Sequence, residues 1–371
     1  MAKVQGYSAR PTLRIDLSAI KSNYLAIQKK VGTTKVAASV KADAYGLGLV
    51  PVSKVLYGAG CRIFFVATAG EGKALREAVG ENVSIYVLNG PAPRDLTLLF
   101  GSYLKPVINS MAQAQMWVEA TTGVKSAPFC AIHIDTGMNR LGFDQEEFQM
   151  LSRNKPMQQK LGIDLVMSHL ACAPDAAHPM NKTQLDAFRR ATAQLPMTTM
   201  SLANTAGVYL GKPYHFQMVR PGIGLYGGGA TTQRDKESTM PVVTLLGAVL
   251  QIKKIKAGQT LGYDATYTAK KDMTVAIVGA GYADGIPVSS SATDTKKGGH
   301  AIFRKQHVQI VGRVSMDLTI LDVSSVDDQI EIGHQVAFRG DQLGLDSSDA
   351  GTINYELLVR LGQRCRRDYL R

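Results

Sequence analysis

The sequence predicts an α/β fold: a (β/α)8 TIM-type barrel followed by a mostly β C-terminal domain. The barrel is predicted because short apolar runs rich in β-forming residues alternate with amphipathic stretches, and eight such runs precede residue 229. The β domain is predicted because the later β-rich runs follow one another across Gly, Asp and Lys turns without long helices between them. A chain of 371 residues is long enough to form both.

The eight predicted barrel strands lie at residues 36–40, 63–68, 84–88, 104–108, 129–135, 165–169, 198–203 and 216–220. Amphipathic stretches predict helices at 50–60, 71–79, 111–120, 146–152 and 184–194. A leading helix is predicted at 18–31, with Ser18 as its N-cap. Eight is the number of parallel strands that closes a barrel, but an open doubly wound sheet would show the same alternation.

The second domain is predicted from strands at 242–255, 273–278, 307–311, 318–323 and 335–338, with a short helix at 355–361. The polar residues 230–240 are predicted to link the two parts. We therefore expect the barrel to span residues 12–236 and the β domain residues 237–371. Residues 1–11 are candidates for packing with the β domain.

Composition argues against several functional classes. The formal net charge is +12, but the positive residues are scattered, and aromatic residues do not alternate with the arginines near the C-terminus as they would in a nucleic-acid stacking platform. No apolar run reaches the length of a membrane span, and residues 1–14 lack a secretory core, so we expect a cytoplasmic protein without membrane partners. The four cysteines and seven histidines lack metal-ligand spacing, so no metal site is predicted.

Reactive side chains follow several predicted strands directly. In barrel enzymes the active site lies at the carboxyl ends of the strands, so a catalytic site is expected at these positions. They are Lys41 after the first strand, Arg140 after the fifth, His169 at the end of the sixth, Asn204 and Thr205 after the seventh, and Arg220 at the end of the eighth.

Two of these positions predict parts of a cofactor site. A lysine at the end of an apolar strand is desolvated, which favours the neutral amine that forms Schiff bases with aldehydes. The hydroxyl of Thr205 and the backbone N–H groups of Gly222 and Ile223 are suited to hold a phosphate. Each feature alone also fits an ordinary surface lysine, helix cap or turn glycine. Because the lysine and the phosphate-binding residues are expected together at one end of the barrel, its rim, a cofactor site is favoured.

Residues 222–227 also spell G-x-G-x-x-G, the pattern of dinucleotide-binding turns. That pattern requires a helix that begins within it, whereas the following residues 228–232 are poor helix formers. A nicotinamide-dependent dehydrogenase is therefore rejected.

Six motifs together resemble those of alanine racemases, in the order in which they occur in that family. They lie at residues 40–46, 135–140, 168–171, 220–227, 281–285 and 315–317 and span nearly the whole chain. The resemblance implies a barrel that binds pyridoxal 5'-phosphate, a C-terminal β domain and a head-to-tail homodimer with shared active sites.

The resemblance implies two catalytic bases. Lys41 would hold the cofactor as a Schiff base and act on one face of the substrate Cα. Tyr282, supplied by the partner chain, would act on the opposite face. By itself, the glycine-rich segment 279–285 indicates only an exposed turn tyrosine, which packs on a neighbour in most proteins.

The resemblance also implies the binding residues. His169 would stack beside the cofactor ring, and Arg220 would face the ring nitrogen and keep it unprotonated, which makes the ring a weaker electron sink. The substrate carboxylate would contact Arg140 and the backbone N–H of Met316. The phosphate would be held by Tyr45, Thr205, Gly222, Ile223 and Tyr355, with Asn204 close by.

Two positions depart from the family pattern. His133 stands where the family often has a lysine, carbamylated in some members, so the support of Arg140 must differ here. The aspartate usual at the pocket entrance is displaced, because Pro174 precedes Asp175. This second change affects the shape of the entrance and hence the breadth of substrates.

The expected function is the interconversion of L-alanine and D-alanine through a covalent adduct with the cofactor, supplying or consuming D-alanine for peptidoglycan. A broader amino-acid racemase and a related barrel-type decarboxylase are the enzymatic alternatives. Decarboxylases of this architecture place an acid at the ring nitrogen, so Arg220 weighs against them. A non-catalytic cofactor-binding barrel would lack the second domain, and a nucleic-acid binder is the remaining alternative. The sequence leaves substrate breadth and a biosynthetic or catabolic role open.

Overall fold

The computed structural model describes residues 6–229, 239–338 and 350–371. It contains two compact units. One combines the described residues up to Ala19 with those from Met240 onward, and the other runs from Ile20 to Thr239. The boundary predicted between residues 236 and 237, and most of the predicted linker, lie outside the described residues and stay predictions.

Strand β1 (Thr12–Asp16) and helix α1 (Leu17–Val31) are the first elements of the chain. The helix begins before Ser18, so the prediction of Ser18 as N-cap is wrong. Instead, the carboxylate of Asp16 accepts a hydrogen bond from the Ala19 N–H at 2.9 Å, which satisfies a donor of the first turn.

Parallel strands form the larger unit. They are β2 (Lys35–Val36), β3 (Ala38–Ser39), β4 (Ile63–Val66), β5 (Ser84–Val87), β6 (Lys105–Ile108), β7 (Cys130–His133), β8 (Ile163–Met167), β9 (Thr199–Ser201) and β10 (Met218–Val219). From β3 to β9, each strand pairs in parallel with the next.

The strands close into a barrel. β10 pairs in parallel with β2, and the Ala37 N–H donates to the Val219 carbonyl at 2.9 Å. On the other side of β10, the Arg220 N–H donates to the Ala203 carbonyl at 2.9 Å, next to β9. β2 and β3 together occupy the first strand position, so eight positions complete the ring in this described part. The barrel prediction is therefore confirmed over the open sheet.

Helices lie between the barrel strands. They are α2 (Lys41–Tyr45), α3 (Leu49–Gly58), α4 (Ala69–Val79), α5 (Leu96–Gly101), α6 (Met111–Thr121), α7 (Gln145–Arg153), α8 (Lys155–Leu161), α9 (Pro179–Thr192) and α10 (Thr205–Tyr209). The sequence did not predict α5 and α8. α9 begins at Pro179 rather than at residue 184, because proline is favoured in the first helical turn and His178 caps it.

The barrel interior is apolar between its two ends. Side chains from successive strands pack there, and each is at least 96% buried: Ala37, Phe65, Tyr86, Val107, Ala131, Leu165, Met167 and Met218. This core fills the barrel, so a ligand can approach only at an end.

The second unit is mostly antiparallel β-structure. Its strands are β11 (Val243–Ile255), β12 (Thr260–Leu261), β13 (Tyr267–Thr268), β14 (Met273–Val278), β15 (His300–Phe303), β16 (Gln306–Ile310), β17 (Thr319–Asp322), β18 (Gln335–Ala337) and β19 (Arg366–Leu370), with a short helix at Asn354–Val359. The main sheet runs β14-β17-β16-β15-β18-β11-β1-β19, and β11 also pairs with β14.

Three differences from the sequence prediction concern this sheet: β15 was not predicted, and the other two involve β1 and β19. β1 was assigned to the barrel, but its backbone pairs with β11 and β19, so these residues belong to the β unit. β19 was not predicted, because its sequence RRDYL is charged and half-exposed, as suits an edge strand rather than a core strand. No helix in the described ranges is both long enough and apolar enough to cross a bilayer.

Candidate active site

The carboxyl ends of the barrel strands carry the predicted site residues of the larger unit. Lys41 lies after β3, His169 after β8, Thr205 after β9 and Arg220 after β10. After burial, the charges of Arg220, Arg140 and Lys41 all lower the pKa of the His169 imidazole. The structure therefore brings these side chains to one rim, as the sequence predicts.

Lys41 begins a turn of unusual backbone conformation. Ala42, Asp43, Ala44 and Tyr45 have φ values of 53°, 54°, 52° and 57°, so α2 is a left-handed turn built without glycine. L-residues avoid this region because Cβ approaches the following carbonyl oxygen. Four such residues in a row persist only where the surrounding structure holds them.

Burial lowers the pKa of Lys41 below its ordinary value. The guanidinium of Arg140 lowers it further, whereas the carboxylate of Glu71 acts in the opposite direction. Both lowering effects favour the neutral, nucleophilic form of the amine. The structure thus gives Lys41 the surroundings that Schiff-base chemistry requires.

A narrow polar cradle lies beside Tyr45, in the turn that Lys41 begins, and suits a phosphate. The Thr205 hydroxyl accepts hydrogen bonds from the N–H groups of Gly222 (2.9 Å) and Gly224 (3.3 Å). A Cβ on Gly222 would lie 2.2 Å from the hydroxyl oxygen of Tyr45, so only glycine allows this approach. The Thr205 hydroxyl, the Tyr45 hydroxyl and the Gly222 backbone therefore lie close together, although the Gly222 N–H that was predicted to hold a phosphate is bonded to Thr205 here. Buried Ile223 begins the following 3-10 turn.

Asn204 caps the short helix after β9. Its side-chain oxygen accepts from the Gly207 N–H at 2.9 Å, and its amide donates to the Leu170 carbonyl at 3.3 Å. Both ends of the side chain are thus bonded to backbone. Asn204 fixes the helix start that carries Thr205.

Arg220 is buried and tightly hydrogen-bonded. Its guanidinium donates to the Ser201 carbonyl at 2.8 Å, to the Ser201 hydroxyl at 2.5 Å and to the Ser168 carbonyl at 2.5 Å. Burial lowers its pKa to about 9, which still leaves the guanidinium protonated at physiological pH. Arg220 is therefore a buried, fixed cation at the carboxyl end of the barrel.

Two histidines stand close to this cation. His133 is 8% exposed, and its Nδ1 lies 2.8 Å from the side-chain oxygen of Asn109. Burial, followed by the charge of Arg220, lowers the pKa of His133 to about 4, so its ring is neutral at pH 7. The same causes hold the pKa of His169 well below its usual range. The rim therefore contains neutral imidazoles beside arginines.

The loop that carries Arg140 is organised by a carboxylate. Asp135 accepts from the N–H groups of Gly137 (2.8 Å), Met138 (3.0 Å) and Asn139 (3.2 Å). Arg140 follows directly and is exposed. Asp175, the displaced aspartate, is also exposed, and its carboxylate accepts from the Ala177 N–H at 3.0 Å within a local turn.

The remaining predicted residues lie in the β unit. Tyr282, Met316 and Tyr355 are each about half-exposed there. The Tyr282 N–H donates to the Ser315 carbonyl at 3.0 Å, and the N–H of Ala283 donates to the Met316 carbonyl at 3.0 Å. The turns that carry Tyr282 and Met316 are thus held together by their backbones.

A charged cluster supports these two turns. The fully buried carboxylate of Asp284 accepts from the Gly281 N–H at 2.9 Å and from Arg364 at 2.7 and 2.9 Å. The same guanidinium donates to Asp317 at 2.6 Å. Arg364 therefore links Asp284, the last residue of the Tyr282 turn, to Asp317, the residue after Met316.

Sequence reasoning missed several residues that organise the site. They include Glu71, Asp284, Arg364, and the fully buried Gln184, which donates to the His169 carbonyl at 2.8 Å. One signal was available, because Thr68 and Glu71 have the spacing of a capping box. That signal predicts a helix start but not a contact with the neighbouring loop.

Comparison with known families covers both units. Residues 15–230 match the family described as the alanine racemase N-terminal domain, and residues 242–369 match the alanine racemase C-terminal domain. The two matches together span most of the chain.

Relatives with assigned functions align over nearly their full lengths. A protein named "Alanine racemase, catabolic" from Agrobacterium fabrum is 40% identical over 361 residues, covering 96% of this chain and 92% of the relative. An alanine racemase from Rhizobium meliloti is 39% identical over 372 residues, covering 98% and 97%.

Solved structures share the fold of both units. An alanine racemase from Bartonella henselae, crystallised with covalently bound pyridoxal phosphate, has a TM-score of 0.92 and 37% identity, covering 98% of this chain and 100% of that one. The biosynthetic alanine racemase of Pseudomonas aeruginosa has a TM-score of 0.89 and 28% identity, covering 98% and 100%. Both family matches, the full-length identity and the shared fold lead to one conclusion: this chain belongs to the alanine racemase family of pyridoxal-phosphate-dependent isomerases.

Proposed function

We propose that this enzyme interconverts L-alanine and D-alanine by a two-base mechanism in a homodimer. The observation that carries the proposal is the meeting of three features on one barrel rim: the desolvated amine of Lys41, the cradle at Thr205 and Gly222, and the buried cation of Arg220. These three features suit, in turn, the aldehyde, the phosphate and the ring nitrogen of pyridoxal phosphate.

Lys41 would bind the aldehyde carbon of pyridoxal phosphate, and the cradle residues would bind its phosphate. When bound, this cofactor withdraws electrons from the substrate Cα, which makes the Cα proton removable. Tyr45, Thr205, Gly222, Ile223 and Tyr355 are the proposed phosphate ligands, with Asn204 fixing Thr205 and His169 beside the ring.

Arg220 would face the ring nitrogen of the cofactor. Because the guanidinium remains protonated and can only donate hydrogen bonds, the ring nitrogen would act as the acceptor and stay unprotonated. Its bonds to Ser201 and Ser168 hold the charge in place. This argues for racemisation and against the decarboxylase alternative, which would place a carboxylic acid there.

Proton transfer would use one base on each face of the substrate. Lys41 would take the proton from D-alanine, and the Tyr282 hydroxyl of the partner subunit would take it from L-alanine. Arg140 and the backbone N–H of Met316 would hold the substrate carboxylate. The paired turns that carry Tyr282 and Met316 support this arrangement, because a base and a substrate anchor on one rigid piece keep a fixed spacing.

The central test is to reduce the purified protein with borohydride and map the labelled peptide. We expect the cofactor on Lys41; a label on another lysine would contradict the assignment. Incubation with a panel of amino acids, followed by chiral chromatography, separates an alanine racemase from a broader racemase, and carbon dioxide release would indicate a decarboxylase.

We further propose that the enzyme acts in the cytoplasm and that its D-alanine serves peptidoglycan. Expression in a bacterial D-alanine auxotroph should restore growth without added D-alanine. A Lys41→Ala chain expressed at the same level is the control, and growth with that control would contradict the proposed chemistry.

A further inference from the structure

The left-handed turn after Lys41 needs external support. Its four φ values near +50° are unfavourable for residues with a Cβ. Bonds within the turn are present: the Ala44 N–H donates to the Val40 carbonyl at 2.9 Å, and Asp43 accepts from the Leu49 N–H at 2.7 Å. They fix the later part of the turn, but they do not engage the N–H of the residue directly after Lys41.

That N–H donates to a side chain from another element. The Ala42 N–H donates to Oε1 of Glu71, on helix α4, at 2.6 Å. The second oxygen, Oε2, accepts from the N–H groups of Ala67 (2.8 Å) and Thr68 (3.2 Å) at the end of β4. One carboxylate therefore ties the Lys41 turn to the neighbouring barrel strand.

This exceeds the role of a helix-capping residue. In a capping box the glutamate needs only to accept from the N-cap N–H, which here is the bond to Thr68. Oε1 is left for Ala42, and a charged acceptor makes a short, strong bond to a backbone N–H. The cap and the Lys41 turn thus share the carboxylate, one oxygen each.

We propose that Glu71 is a positioning residue for Lys41: its carboxylate fixes the backbone after the lysine and so aims the amine at the cofactor and substrate. The inference rests on the proposed role of Lys41. It adds a residue that touches neither cofactor nor substrate but sets the geometry of the reacting amine.

The test compares two variants at the same helix start. Glu71→Gln keeps the length of the side chain but has one acceptor oxygen, so it cannot serve both Ala42 and the β4 end. Thr68→Ala is the matched control: it removes the hydroxyl bond to the Glu71 N–H (3.3 Å) and leaves the carboxylate on Ala42. Backbone hydrogen exchange in residues 41–48 is measured with and without pyridoxal phosphate, together with kcat and KM for both alanine enantiomers.

We expect Glu71→Gln to raise exchange in residues 41–48 about tenfold or more, since the N–H of Ala42 loses its partner. Its kcat should fall roughly 10- to 100-fold in both directions, with a smaller change in KM, because the equilibrium constant of about one between enantiomers keeps their kcat/KM values equal. Thr68→Ala should match the wild type within about twofold in both measurements.

Unchanged exchange and kcat in Glu71→Gln would overturn the inference, and so would an equal loss in Thr68→Ala, because the effect would then belong to the helix cap. If Glu71→Gln does not fold, Glu71→Asp, which keeps the charge but shortens the reach, is measured in the same way. Backbone hydrogen exchange does not depend on turnover, so it tests the role of Glu71 separately from the proposed function. Wild-type racemisation by a Lys41→Ala chain would instead refute the proposed function.

Discussion

Arg220, His133 and Lys41 show how one environment acts on three basic groups. Burial lowers the pKa of each, but from different starting points. Arg220 remains charged, His133 is neutral, and Lys41 is shifted towards its neutral form. The same barrel end can therefore hold a fixed cation and an amine that the proposed function requires to lose its proton.

Arg220, which we propose to face the ring nitrogen of the cofactor, should control side reactions. We expect Arg220→Glu to give a new long-wavelength absorbance with alanine and faster half-transamination, because a carboxylic acid could protonate the nitrogen and stabilise the carbanion. Arg220→Gln is the control, since it removes the arginine without adding an acid. Absorbance spectra and product ratios measure the difference, and identical behaviour of the two folded variants would contradict this argument.

His133 should make stability depend on pH. Its pKa is about 4 in the folded protein and about 6.5 when unfolded, so between these values the unfolded chain binds the extra proton. Stability is therefore full above about pH 6.5 and falls as the pH drops towards 4.

We expect His133→Gln to remove this dependence. Relative to the variant, the wild type should lose about 2 kcal/mol between pH 7 and pH 5. Urea unfolding at both pH values measures the loss, with the exposed His307→Gln as control. If the unfolding free energies of the wild type and His133→Gln change with pH in the same way, His133 does not cause the pH dependence.

At the scale of elements, the Tyr282 turn depends on the ion pair between its last residue, Asp284, and Arg364. Asp284 is fully buried, and its carboxylate bonds to the turn through the Gly281 N–H and to Arg364. The turn also approaches its neighbour closely, since a Cβ on Gly281 would lie 2.3 Å from the Ser315 carbonyl. The position of Tyr282 is thus set by the packing of three segments.

Removing Arg364 should loosen this turn. Arg364→Met leaves the Asp284 carboxylate buried without its cation, and we expect a loss of roughly 1–3 kcal/mol in unfolding free energy, moderated because the guanidinium is partly exposed. The rate from L-alanine should fall more than cofactor affinity does. Arg366→Met, on the exposed edge strand, is the control, and an equal loss there would make the effect nonspecific.

At the scale of the whole molecule, the proposal requires two chains for each complete site. Tyr282→Phe should slow proton abstraction from L-alanine while the cofactor stays bound. When Lys41→Ala and Tyr282→Phe chains are mixed, half of the dimers are hybrids with one complete site. Roughly a quarter of wild-type activity should return. No recovery after proven subunit exchange would contradict a shared site.

The sequence by itself determined the element types and the rim. Apolar runs with local periodicity predicted the barrel strands to within a few residues, because a buried parallel strand is recognisable from its own side chains. Lys41, Thr205 and Arg220 follow such strands directly, so their meeting at one end followed from the barrel alone. The charged strand β19 escaped prediction, since an edge strand lacks that apolar signal.

Only the tertiary structure decided how the rim residues are held. The left-handed turn after Lys41 runs against the preference of its own residues, and its first N–H is held by Glu71, which is distant in sequence. The pairing of β1 with β19 joins residues from opposite ends of the chain. The low pKa of His133 follows from burial beside Arg220. Local patterns cannot encode such contacts, because each depends on which distant segments the closed barrel and the folded sheet bring together.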